Sequence, residues 1–169
     1  MSNLEEMFSA MNTAKGSTGG TFFDEGVYLV ELKDIEYRDG YKGKSCHFHF
    51  TVLESNNGVS PKSTRVWILK LDKSKDENER TMADIKGLIF ALLGTSLKEV
   101  GSPEKNPGTH QQATAMFLAA IDETYAKKNS LDGKALIGER ANLEVHKTLT
   151  KKGGEYSRHN FSPAPATAA

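Results

Sequence analysis

The chain has 169 residues, 37% of them hydrophobic, which is enough for one core of ordinary size and too little for two full domains. Its 22 basic and 22 acidic side chains cancel, so net charge selects no partner and only the placement of charge can do so. A single cysteine, Cys46, excludes an internal disulfide framework and a multi-cysteine metal site; no apolar run nears the ~18 residues of a membrane span, and the start MSNLEEMFSAM is acidic where a secretion signal is basic, so a cytoplasmic protein in a reducing compartment is expected.

In chain order, Leu4, Met7, Phe8 and Met11 recur at helical spacing and predict a short amphipathic helix. The Gly- and Ser-rich run NTAKGSTGG then reads as a flexible linker, so residues 1–20 are set apart from a binding domain over 21–161. Residues 26–37 and 44–54 are rich in β-branched and aromatic side chains around the turn RDGYKG and predict a hairpin; TRVWILKL (64–71) predicts a third strand. Within the second strand Cys46, Phe48, Phe50 and Val52 share the face expected in the core, and His47, His49, Thr51 and Leu53 share the other. Met82, Ile85, Leu88, Ile89, Leu92 and Leu93 predict a helix over 78–94 that Gly94 ends. A second helix is expected over 109–128, opened by capping-box spacing at Thr109 and Gln112 and striped by Ala113, Met116, Phe117, Ala120 and Ile121. Strands return in ERANLEVHKTLT and EYSRHNF around the turn KKGG, and the tail 162–169 has too little apolar content to order. Three strands, a helical section and two more strands is the order of a five-stranded oligonucleotide/oligosaccharide-binding (OB) barrel with helices inserted between the third and fourth strands; a generic α+β sheet is the alternative.

GKS at 43–45 ends like a phosphate loop, but Arg38 stands where that loop needs its first glycine and a strand, not a helix, follows. What remains is a hairpin tip on which Arg38, Lys42 and Lys44 alternate with Tyr37 and Tyr41. Cations for phosphate oxygens among rings that stack on bases suit sequence-tolerant binding of single strands, and a solvated loop is the plain alternative. Arg65 and Trp67 share a face of the third strand, which makes Trp67 a candidate platform, although a lone tryptophan is often core; Val66 and Ile68 offer the other face as the apolar one. The last hairpin groups Lys147, Lys151, Lys152, Tyr156 and Arg158 where the loops of such a barrel flank its groove. His47 and His49 have the i, i+2 spacing of two zinc ligands, but His146 and His159 are the only further histidines in the strands and no His-Glu-x-x-His or acidic cluster accompanies them. The pair is therefore read as polar strand residues near a polyanion rather than as a hydrolase centre. No Gly-x-Ser-x-Gly elbow is present, and neither catalysis nor a cofactor or metal is expected.

GVYLVELKDIEYRDGYKGKSCHFHFTVLES, the tryptophan strand, LIFALLG and LDGKALIGERANLEVHK together resemble phage-encoded single-stranded-DNA-binding proteins of OB-fold type over roughly residues 20–163. The resemblance implies a non-enzymatic protein that coats single-stranded DNA during phage replication or recombination, in the host cytoplasm. A homo-oligomer and contacts with replication or recombination proteins remain open. The tail SPAPATAA lacks the acidic, aromatic-ended tip with which bacterial single-strand binders recruit enzymes. The competing reading is an adaptor that uses the same barrel for protein contacts and binds no nucleic acid.

Overall fold

The computed structural model describes residues 22–41, 43–71, 74–149 and 155–165, with residues 155 and 156 given by backbone alone. The expected N-terminal helix and linker lie outside the described residues. Five strands, β1 (Gly26–Gly40), β2 (Gly43–Ser55), β3 (Thr64–Lys70), β4 (Arg140–Leu149) and β5 (Glu155–Pro163), form one antiparallel sheet in the order β3-β2-β1-β4-β5. Among the described residues, four helices follow β3 in the chain and precede β4: α1 (Lys75–Leu92), α2 (Leu97–Val100), α3 (Pro107–Ile121) and α4 (Glu123–Lys128).

The alternation in β2 sets the faces of the whole sheet. Cys46, Phe48, Phe50 and Val52 are all fully buried, and antiparallel register carries that parity to their neighbours. In β1 the buried set is Tyr28, Val30, Leu32 and Ile35, which breaks strict alternation after Leu32. The break is a bulge: Leu32 faces Phe50 and Asp34 faces His49, so Lys33 is the extra residue and Ile35 returns to the core side. At the bulge Leu32 turns its backbone to the segment before β4, donating to Glu139 O at 2.9 Å and accepting from Gly138 N–H at 2.8 Å. Ala141, Leu143 and Val145 continue the buried face in β4.

Helices cover this face. Ile85, Leu88, Ile89, Phe90 and Leu92 of α1 join the core with Ala113 and Phe117 of α3, whose ring lies 6.4 Å from that of Phe48. Burying each large side chain is worth about 1.5–3 kcal/mol, and this shared core holds the helices on the sheet. Ser74 caps α1 by accepting from Glu77 N–H at 3.3 Å. Its C-terminus closes through Gly94 at φ 84°, with Gly94 N–H donating to Ala91 O and Thr95 N–H to Phe90 O.

Four expectations are corrected. Ser162 and Pro163, expected in the unordered tail, are the end of β5, paired with Asn142 and Ala141. α1 starts three residues before 78, at the Ser74 cap. The helix expected over 109–128 is two helices: α3 begins at Pro107, so Thr109 and Gln112 lie inside it, and the chain breaks at Asp122, whose carboxylate accepts from Tyr125 N–H to open α4. In β3, Trp67 and not the Val66–Ile68 pair faces the core. Trp67 stands opposite Phe48, with ring centroids 5.3 Å apart, so the parity of β2 turns it inward.

The sheet's two edges, β3 and β5, approach through side chains. The Trp67 ring lies 4.9 Å from Phe161 and 5.6 Å from His159, and Phe23 contacts Tyr28, Phe50 and His159. Phe22 bridges to Val66 on β3. Among the described residues no ladder joins β3 to β5.

Candidate nucleic-acid interface

β1 and β2 close on Gly40 opposite Gly43, the latter at φ 105°, a conformation open to glycine at little cost. Tyr41 stands on this tip with 95% of its surface exposed. Arg38, opposite Ser45, and Lys44, opposite Asp39, are exposed just behind it. Tyr37 pairs with Cys46 and therefore lies on the opposite face of the ribbon from Arg38. Lys42 lies outside the described residues.

On the face turned away from the helices, Arg38, Glu36, Ser45, His47 and His49 come together. Arg38 Nη2 donates to Glu36 Oε1 at 3.0 Å, and His49 Nε2 meets the same oxygen at 3.2 Å. These contacts, the arginine's first, hold the Glu36 carboxyl down at about 2. His47 Nε2 lies 3.0 Å from Ser45 Oγ, and its ring stacks near His49 at 6.4 Å. Burial, followed by the nearby Arg38 charge, lowers the His47 pKa and favours the neutral ring. Among the described residues no three His, Cys, Asp or Glu side chains form a ligand set; His146 instead pairs with Glu144 at 2.7 Å, and His159 stands at the β3–β5 seam.

The β3 candidates are withdrawn from solvent. Trp67 is 5% exposed and packed on Phe48 and Phe161, so it offers no open ring to a base, which corrects the platform expectation. Arg65 is 3% exposed and donates to Thr64 O at 2.9 Å. At the second hairpin Lys147 lies 3.9 Å from Asp24, and its backbone N–H donates to Glu25. Arg158 is exposed opposite His146, near enough to Asp84 of α1 to act on its carboxyl. Tyr156 is placed by backbone register opposite Thr148, and Lys151 and Lys152 lie outside the described residues. Because Gly26 of β1 pairs with Val145, the Leu149 end of β4, paired with Glu155 of β5, lies at the opposite end of β1 from the Gly40–Gly43 tip. Lys147 and Arg158 thus stand at the other end of the sheet from Arg38 and Lys44.

Glu36 was not among the expected site residues, although its i, i+2 spacing from Arg38 on a strand is a legible sign that the two share a face. Comparison with protein-family models and with curated proteins finds no match for this chain.

Proposed function

We propose that the protein binds single-stranded DNA with little sequence preference, using the β1–β2 tip and the β4–β5 hairpin. Phage replication or recombination is the setting that the resemblance of the sequence suggests. The observation that carries the reading is Tyr41, an aromatic ring 95% exposed on a glycine-closed tip with Arg38 and Lys44 beside it. A ring this open to solvent offers a base a face on which to stack. The strand order supports the same reading: β3-β2-β1-β4-β5 matches the order of an OB barrel opened between β3 and β5, and Trp67 of β3 contacts Phe161 and His159 of β5. The OB barrel is the architecture proposed for the domain.

Titration of labelled oligo-dT at a series of salt concentrations tests the proposal. Affinity is expected to fall as a power of salt, with the slope flattening by about 0.7 for each phosphate contact removed in Arg38→Ala and Lys44→Ala. Tyr41→Ala is expected to cost about 1–3 kcal/mol of binding at every salt concentration. Absence of binding at low salt would refute the proposal in favour of an adaptor function. One observation favours that second reading: Arg38, Arg140, His146 and Lys147 each lie beside a carboxylate, of Glu36, Glu31, Glu144 and Asp24 respectively.

A further inference from the structure

Between α1 and α2 an open groove of about 800 Å³ is lined by Met82, Ala83, Leu97 and Pro103, with Lys75, Glu79 and Lys86 also along it. Met82 and Leu97 keep 39% and 38% of their surface, so apolar side chains that share a concave site remain uncovered. Lys86 is held in place by donating to His110 Nδ1 at 3.3 Å, while His110 Nε2 donates to Gly101 O at 2.9 Å, which makes this wall of the groove a fixed one. The groove lies among the helices and uses none of the residues of the hairpin interface.

We propose that residues 4–11 of the same chain dock in this groove. Leu4, Met7, Phe8 and Met11 share one face at helical spacing, which is the side-chain set a groove recognises in an amphipathic helix. Glu5 and Glu6 complement Lys75 and Lys86, which outnumber Glu79, the acid of the lining. The point at which the described chain begins favours this occupant. Phe23 contacts His159 of β5, and Arg158, one residue earlier on that strand, acts on Asp84 of α1, the helix that also carries Met82 and Ala83 of the groove. The ten residues 12–21 reach about 33 Å extended and about 17 Å as a flexible coil, and α1 packs directly on β5, so the reach has only to span neighbouring elements.

Methyl NMR of the full chain with labelled methionine tests this, because Met7 and Met11 lie in the segment, Met82 in the groove, and Met116 half-buried against the core. Phe8→Asp is expected to move the Met82 signal and leave Met116 in place. Leu97→Asp, at a position that keeps 38% of its surface exposed, is expected to return Met7 and Met11 to random-coil shifts while the Met116 signal stays in place. Neither effect is expected to depend on protein concentration. A Met82 signal indifferent to Phe8→Asp, or Met7 and Met11 signals already at random-coil positions in the wild type, would overturn the docking. Shifts that vanish on dilution would overturn the same-chain assignment and give the groove to a second copy.

Discussion

Arg38 already gives one of its five N–H donors to Glu36, so a phosphate that meets its guanidinium does so beside a competing negative charge. Glu36→Gln removes the competing charge, so oligo-dT affinity at low salt is expected to rise several-fold; a fall would show that Glu36 instead positions Arg38 for its ligand. His159 poses a different problem. Burial between Trp67 and Phe23 depresses its pKa from 6.5 to about 4, so the fold accepts the neutral ring and the unfolded chain binds the proton more readily. The stability this ring contributes is therefore complete above 6.5 and is lost as pH falls towards about 4. Urea midpoints measured across that window are expected to drop with acidity in the wild type and to drop less in His159→Phe. Trp67→Ala is expected to cost about 3–5 kcal/mol of stability because the ring fills space between Phe48 and Phe161; thermal melting checks this directly.

At the scale of elements, the segment after α4 packs where only glycine fits. A Cβ on Gly133 would lie 2.7 Å from the carbonyl oxygen of Ala119 in α3, a contact that backbone cannot relieve by rotating a side chain. Gly133→Ala is expected to destabilise by about 1–3 kcal/mol, read from denaturant midpoints, whereas Gly108→Ala, where a Cβ meets open space, is expected to have little effect. The strands were legible because β2 alternates so cleanly that its register propagates to β1 and β3. The bulge at Lys33 was not, since its cause is the backbone pairing of Leu32 with Gly138 and Glu139, roughly a hundred residues away. Trp67 was misplaced for a related reason: within TRVWILKL both faces carry apolar residues, and only the partner strand decides between them. The break at Asp122 left a trace in sequence, Asp122-Glu123 opening ETYAKK, but the run of apolar residues before it hid a cap inside a longer stripe.

For the whole molecule, a neutral sequence does not mean an absence of charged surface, and several of its exposed cations lie beside acids. The acids beside Arg140 and Lys147 are what composition alone could not locate, because the fold brings together residues as distant as Glu31 and Arg140. Cys46 has a consequence of its own. Burial raises its thiol to about 11, so in the native state it is chemically silent, and alkylation must wait until the surrounding strands part. It lies opposite Tyr37 and Leu69, three ladder pairs in from the Gly40–Gly43 closure. The labelling rate of this single sulfur is thus a clock for fraying of the same ribbon that carries Tyr41, and a strand of DNA gripping that tip would slow the clock in proportion to its occupancy.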